Sequence, residues 1–414
     1  MQSVATGTWV RWSVLVSIAF QAVVGSVGEL NSREVMHEQL RSVDDLCRSR
    51  SDVQPTSRGL HLAFVITSKR DTTLVDAALR SFLYFRTCPV HFHFVTDEAT
   101  AGIDWAWLSW WGNVQYSVYT TSFDPKMALR SSTYEKWGTG MTQDGERFAL
   151  PREVMPSRFA KLSLDTIITG DIENLLFVDN DVVFLDDLCQ AHAVFDSMSN
   201  TSLFGMAPQM SDLYSHTQAP FAFPIEASKR WRGHPGVNSG IIFWKLKRVH
   251  NTCWSRSAEE CRRATAANTG SLYSPIQQHW IQYLEQGVDN YQFGLLDQDV
   301  FNYVASRHPE LLEVVPIRWN VQLVRHVCTR NDAEVAPNLA DNINADILVL
   351  HGNAQHFKKD LWFSRHVWFL FASPTVNRYW DATRHHHMSH AICAARTVVK
   401  DTIKDYLSHC SWLA

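Results

Sequence analysis

Short apolar runs alternate along the chain with longer segments of helical spacing. His61–Ile66 reads as a buried strand, followed by a polar turn over Thr67–Thr72. In Leu74–Phe85 the apolar positions Leu74, Ala77, Ala78, Phe82 and Phe85 recur at the period of one helix face. His91–Thr96 reads as a second strand, and Asn113–Thr120 as a third after a Trp-rich helical stretch (Trp105, Trp107, Trp110, Trp111). Residues 121–150 are polar and glycine-containing, the pattern of a long loop. A helix is predicted over Pro156–Ile168, then an apolar strand over Leu175–Val178 that runs into Asp179-Asn180-Asp181. Val182–Leu185 continues apolar. Gly240–Trp244 reads as a strand, Ser274–Gln286 and Leu296–Val304 as helices, and Asp346–Leu350 as a last core strand. Strands that alternate with helices predict an α/β fold built on a parallel sheet.

Composition narrows the function. The chain has 414 residues, 45% hydrophobic and 19% charged, enough apolar material for a large core and too much for a disordered chain. The net charge is −4, from 42 acidic and 38 basic residues. Without a basic field, binding of nucleic acid through phosphate charge is not expected. Sixteen Trp mean large buried surfaces or sugar-facing platforms; for Trp105–Trp111 core packing is the expectation.

Trp12–Gly28 carries no charge and lies between Arg11 and Glu29. Seventeen residues at ~1.5 Å each reach about 26 Å, slightly short of a bilayer core. A cleaved signal peptide and a type II anchor both fit; a buried core helix is the third reading. Both main readings place the rest of the chain in the secretory lumen, ER or Golgi. There the eight cysteines can pair, with Cys253–Cys261 the easiest local loop, though spacing does not give the connectivity. Asn200-Thr201-Ser202 is a glycosylation sequon. The organisation expected is a leader or anchor over 1–28, a stem over 29–58, a main α/β domain over 59–360 and a helical C-terminal extension over 361–414. His385-His386-His387 sits in that extension; a solvated helix face is the expectation there, a metal site the rival.

Four short elements carry chemistry. Asp179 and Asp181 sit at the end of an apolar strand, where residues two apart share a face. Ligands of open α/β sheets bind at that carboxyl edge. Paired hard oxygens suit Mn²⁺ or Mg²⁺ bridging phosphates, against the plainer reading of an acidic turn. His351, first past the run Ile347–Leu350, suits Mn²⁺ better than Mg²⁺; alone it would read as a structural histidine. Lys358 and Lys359 lie just beyond. Gly236–Gly240 brings small residues to a strand start, allowing close backbone approach to a ligand. Asp297-Gln298-Asp299 opens a helix, with Asp297 a natural N-cap.

In that order, Asp179-Asn180-Asp181, Asn238-Ser239-Gly240, Asp297-Gln298-Asp299 and His351-Gly352-Asn353 resemble glycosyltransferase family 8. The resemblance covers roughly residues 60–360. It implies a GT-A, Rossmann-like nucleotide-sugar transferase fold, a UDP-linked donor, Mn²⁺ and retention of anomeric configuration. Within the family, His91–Ala99, His308–Leu311 and Trp319-Asn320-x-Gln322-Leu323 look most like animal xyloside xylosyltransferases, with the glucoside enzymes next. Those add α-1,3-xylose to xylosylated O-glucose on epidermal-growth-factor-like repeats. The middle residue Asn180, the stretch 121–150 and the histidine-rich C-terminal segment depart from the pattern. By motif, Asp179, Asp181 and His351 would bind the metal. Thr67, Ser68, Arg158, Lys161, Asn180, Asn238, Ser239, Gly352 and Lys358 would face the nucleotide sugar. Asp297 and Gln298 would be catalytic, beside the anomeric carbon. Trp319, Asn320 and Gln322 would lie toward a glycan or glycoprotein acceptor.

An amide is a poor nucleophile, so Gln298 at the reacting face points to front-face attack through an ion pair, with the diphosphate taking the acceptor's proton. UDP-xylose is the favoured donor. UDP-glucose or UDP-galactose on the same fold, and a non-catalytic nucleotide-sugar binder, are the rivals. A metal phosphohydrolase would want more carboxylates at the metal than these motifs offer.

Overall fold

The computed structural model describes residues 57–67, 69–121, 139–141, 147–149, 160–168, 170–209, 236–251, 297–322 and 347–352. Their strands in chain order are β1 (Leu60–Ile66), β2 (Val90–Thr96), β3 (Val114–Thr120), β4 (Thr139–Met141), β5 (Arg147–Ala149), β6 (Leu175–Val178), β7 (Val182–Phe184), β8 (Phe204–Pro208), β9 (Val237–Trp244), β10 (Leu312–Val314), β11 (Val321–Gln322) and β12 (Val349–His351). The helices are α1 (Lys69–Phe85), α2 (Leu164–Ile167), α3 (Ala191–Ser197), α4 (Leu246–Asn251) and α5 (Asp297–Arg307). Among the described residues no helix is long and apolar enough to cross a membrane.

The near-continuous apolar runs become strands because both faces of the sheet are covered. In β1 and β2 every residue is buried except His61 and His91. Leu62, Phe64, Phe92 and Phe94 join one core with Val75, Leu79 and Phe82 of α1. Ala63, Val65 and Val95 join the other with Phe177, Trp244 and Phe301. The main sheet runs β10-β8-β9-β6-β1-β2-β3. Its half β6-β1-β2-β3 is parallel, and β9 lies antiparallel between β6 and β8. The α/β, Rossmann-like expectation holds, but the sheet is mixed and not parallel throughout, because β9 runs antiparallel to both of its neighbours. A second sheet, β11-β12-β7, takes over where the chain leaves β6.

The structure corrects several local expectations. The polar stretch 67–72 is not all turn: α1 begins at Lys69, and its first turn, Lys69-Arg70-Asp71, has no apolar residue to show the period. The loop over 121–150 contains the hairpin β4–β5, whose three-residue strands are too short for alternation to register. The Trp-rich stretch is a single 3₁₀ segment, Ala106–Trp110; Trp105 is core, stacked on Phe94 at 4.0 Å. Val182–Phe184 does not prolong β6 but changes sheet. The strand expected from Gly240 starts at Val237, so Asn238-Ser239-Gly240 lies within it. The helix expected to end at Val304 continues to Arg307. The helix near 156–168 is seen from residue 160 and is interrupted at Ser163. Residues 1–56, the predicted helix 274–286, Cys253, Cys261 and everything after Gly352 lie outside the described residues.

Cys88 before β2 is disulfide-bonded to Cys189 in the 3₁₀ turn Leu188–Gln190. Asp187 braces the same junction, accepting from the backbone of Thr87 and of Cys189. Asn200 of the sequon is exposed.

One polar cluster interrupts the covered face of β1 and β2. His61, His91 and His93 stack there, the last two 4.4 Å apart between ring centroids. Desolvation lowers all three below the ordinary histidine value. His93 is pushed down to about 3, first by burial and then by repulsion from His91 and His61.

Candidate active site

Strand register brings the acidic motif and the distant histidine together. β6 pairs with β9 so that Val178 faces Ile241, and the Asp179 amide donates to the Gly240 carbonyl at 2.8 Å. The chain crosses to the second sheet between Asp179 and Val182. There His351 of β12 is paired with Val182, and the Gly352 amide donates to the Asp181 carbonyl at 2.7 Å. His351 Nε2 ends 3.3 Å from Asp181 Oδ1 and 3.7 Å from Asp179 Oδ2. The three groups each offer one ligand atom within 4.8 Å of the others.

A chain of side-chain amides fixes which nitrogen of His351 carries the hydrogen. Asn238 Oδ1 accepts from the Gly240 amide at 2.9 Å, and a backbone N–H can only donate. The same oxygen accepts from Asn320 Nδ2 at 2.8 Å. That orients the Asn320 amide, so its Oδ1 faces His351 Nδ1 at 3.0 Å and must accept from it. The imidazole therefore carries a hydrogen on Nδ1, and Nε2 is the ring nitrogen that faces the carboxylates. Gly240 completes the cradle. A Cβ there would overlap the His351 ring and stand 2.9 Å from Asn238 Oδ1. Two carboxylates and one imidazole with its Nε2 free to coordinate fit a divalent first-row cation.

Behind this group lies a buried charge network. Lys161 Nζ sits 2.6 Å from Asp179 Oδ1 and 3.2 Å from Asp297 Oδ2, with the Phe177 ring 5.0 Å away. Asp297 is wholly buried and also accepts from the Ser239 hydroxyl at 2.7 Å. Gln298 Oε1 accepts from the Ser239 amide at 3.3 Å, and its Nε2 donates to Gln209 Oε1. Asn238 Nδ2 donates to the same Gln209 oxygen at 3.0 Å. Asn302, one turn further along α5, clamps both polar groups of Val237 and so ties α5 to β9.

The other sequence-predicted residues distribute as follows. Thr67 is buried at the end of β1. Asn180 Nδ2 donates to the Val65 carbonyl at 2.7 Å, tying the acidic turn to β1. Gln322 Nε2 donates to the Pro208 carbonyl at 2.9 Å. Trp319 is fully buried with its ring edge-on to Phe243 at 5.0 Å, so it packs the core here. Asn320 is buried on His351. Ser68, Arg158 and Lys358 lie outside the described residues. Sequence reasoning missed Gln209 and Asn302. Gln209 had a faint signal, as the first polar residue after the run Leu203–Pro208; Asn302 had none, because a polar residue inside a helix reads as solvated.

No protein-family model matches the chain. Over 332 residues it is 26% identical to the human xylosyl- and glucuronyltransferase LARGE2, covering 78% of this chain and 38% of that protein. Over 267 residues it is 26% identical to the zebrafish xylosyl- and glucuronyltransferase LARGE1, covering 64% of this chain and 30% of that one. The chain thus spans less than half the length of these relatives. Among solved structures, apo mouse xyloside xylosyltransferase 1 aligns with a TM-score of 0.49 at 19% identity, over 72% of this chain and 99% of that one. The galactosyltransferase LgtC aligns with a TM-score of 0.46 at 17% identity, over 78% and 99%. The chain is similar in sequence to the xylosyl- and glucuronyltransferases, in keeping with the family 8 glycosyltransferases that its four motifs resemble.

Proposed function

We propose that this chain is a retaining glycosyltransferase of GT-A fold that moves a sugar from a UDP-linked donor to a glycan or glycoprotein acceptor. UDP-xylose is the first candidate donor, and the relatives' names add UDP-glucuronic acid. The observation that carries the reading is the meeting of Asp179, Asp181 and His351 at the carboxyl edge of β6, with Asp297 and Gln298 behind them. The favoured acceptor is a xylosylated O-glucose glycan.

Asp179, Asp181 and His351 would hold Mn²⁺ or Mg²⁺, which when bound supplies Lewis-acid neutralisation of the leaving diphosphate. Lys161 balances Asp179 and Asp297, so the site holds its carboxylates at fixed spacing without the cation. Asp297 is committed to Lys161 and Ser239, which makes it a positioning group rather than a nucleophile. Gln298 presents a fixed amide dipole to the side where the sugar's positive charge develops. With no carboxylate nucleophile assigned, the acceptor attacks the face that UDP leaves, and the diphosphate oxygen takes the acceptor's proton. The Cys88–Cys189 bond and the exposed sequon support a lumenal location in the secretory pathway, where the N-terminal segment would be a leader or a type II anchor.

The test is metal-dependent UDP release by residues 29–414 with UDP-xylose, UDP-glucuronic acid, UDP-glucose and UDP-galactose. Each is run with and without a xylosyl-glucose acceptor, beside Asp181→Ala. Acceptor-stimulated turnover of UDP-xylose, lost in the variant, is expected. UDP binding without turnover of any donor on any glycan acceptor would refute the transferase reading in favour of a binder.

A further inference from the structure

We propose that His61, His91 and His93 form a second metal site, apart from the acidic one, for a zinc-class divalent ion that clamps β1 to β2. Residues two apart on a strand share a face, so His91 and His93 project together from β2. His61 is the register partner of His91 on the adjacent strand. This sets three imidazoles on one patch of sheet, and one nitrogen from each lies within 4.8 Å of the others. The proposal is independent of the transferase reading.

The outer contacts are those of oriented ligands. His93 Nδ1 lies 3.1 Å from the Tyr119 hydroxyl, and His91 Nε2 lies 2.8 Å from Ser117 Oγ. Both partners belong to β3. Each hydroxyl can accept from the ring nitrogen it touches, which leaves the lone pair of the other nitrogen for a metal. The inner set is then His93 Nε2, His91 Nδ1 and His61 Nδ1. His61 Nδ1 and His93 Nε2 already stand 2.9 Å apart, sharing one hydrogen. Two nitrogens on one tetrahedral zinc at about 2.0–2.1 Å stand about 3.4 Å apart, so this pair needs to open by only a few tenths of an ångström. The His91 ring must turn from its stacked pose, and its half-buried position allows that. No proton need be lost: when the shared hydrogen is on His61 Nδ1, it moves to Nε2 as the metal takes its place.

Chemistry selects the ion. Three neutral imidazoles without a carboxylate suit Zn²⁺, Co²⁺, Ni²⁺ or Cu²⁺ and suit Mg²⁺ or Mn²⁺ poorly. The acidic site, with two carboxylates, also accommodates Mg²⁺ or Mn²⁺. The two are separate: His61 precedes Val65, whose carbonyl holds Asn180, by four residues, roughly 13 Å at ~3.3 Å per residue.

The experiment uses the full chain stripped with a chelator and carrying Asp181→Ala, so that the acidic site is disabled. Zn²⁺ is titrated in competition with a chromophoric chelator, and Co²⁺ is added separately for its visible spectrum. The expected result is one tight zinc per chain and the bands of four-coordinate, nitrogen-bound cobalt. Adding His61→Gln or His91→Gln should weaken zinc by about 100-fold or more, the upper end of what even an outer-sphere change costs. Both residues are half-buried, and a metal-free melt identical to the parent's confirms the fold. The proposal is overturned if the Asp181→Ala chain shows no tight zinc, or if either glutamine variant, folded, binds as the parent does. It is equally overturned if binding disappears instead when His385, His386 and His387 are replaced. Should both glutamine variants unfold, the cobalt spectrum of the parent decides: oxygen-ligand bands overturn the proposal.

Discussion

Replacing Asn320 with alanine tests whether this residue aims the metal ligand or meets the acceptor sugar. Asn320 is wholly buried and holds two contacts, accepting from His351 Nδ1 at 3.0 Å and donating to Asn238 Oδ1 at 2.8 Å. Alanine leaves the imidazole N–H buried without an acceptor, which costs about 1–3 kcal/mol. The ring escapes that cost by flipping or tilting, and either movement takes Nε2 away from Asp179 and Asp181. Recovering the ligand pose during metal binding then costs the same energy, about 5–150-fold in affinity at about 1.4 kcal/mol per decade. Changes at outer partners of metal-bound histidines fall in that range, at about 10–100-fold. The assay is Mn²⁺ titration of the chelator-stripped chain, reading free Mn²⁺ by electron paramagnetic resonance without any sugar. Gln322→Ala is the comparison, because the Gln322 side chain bonds the Pro208 carbonyl, while its pairing with His351 runs through the backbone that alanine keeps. Weakened Mn²⁺ binding in Asn320→Ala and unchanged binding in Gln322→Ala is expected. Unchanged Mn²⁺ affinity in a folded Asn320→Ala, with acceptor KM alone raised, would refute the relay argument.

Gly240→Ala should reach the same phenotype from the other side, since the added methyl overlaps the His351 ring; Mn²⁺ titration should show loss of binding with far-ultraviolet dichroism preserved. Lys161→Met strands Asp179 and Asp297 together, so urea unfolding should report a loss of about 3–5 kcal/mol. The double change Cys88→Ser, Cys189→Ser opens a loop of 101 residues and should cost about 4–5 kcal/mol, read as a lower urea midpoint with a steeper slope, since the unlinked denatured chain exposes more surface. Acid should destabilise the metal-free chain over a defined window. His93 is held at about 3 when folded, against 6.5 ordinarily, so between those values the unfolded chain binds a proton that the folded chain refuses. Its contribution is complete above 6.5 and falls by up to about 1.4 kcal/mol per pH unit below it; urea melts from pH 7.5 to 5 should show at least this slope, and His93→Gln should reduce it, with His61 and His91 supplying the rest.

The parts of the site that sequence made legible are those lying at the ends of apolar runs. Asp179 and Asp181 follow Leu175–Val178, and His351 follows Ile347–Leu350, so period and position alone marked them as edge residues. The pairing of β7 with β12 was not legible, because both strands have three residues and nothing in their sequence names a partner. The destination of Asn320 was hidden for a related reason. Its neighbours Trp319 and Gln322 read as a polar and aromatic surface facing an acceptor, whereas the fold puts Trp319 on Phe243 and turns Asn320 onto His351. Lys161, which the resemblance places toward the nucleotide sugar, is ion-paired with two carboxylates in three dimensions. Such pairings depend on which strand ends lie side by side, and no local pattern records that.

The crossing of the chain from one sheet to the other inside the Asp179-Asn180-Asp181 turn has an evolutionary consequence. Because β12 is paired on both sides and the residues that flank it, Leu348 and Gly352, are pinned to Arg318 and Asp181, His351 keeps its place however many residues precede Ile347. A one-residue slip in β12 would turn the imidazole to the opposite face, so insertion is permitted before the strand and forbidden within it. The segment between Gln322 and Ile347 is thus a region where length can drift while His351 stays in register. Homologues should differ there in length far more than between Ile347 and Gly352.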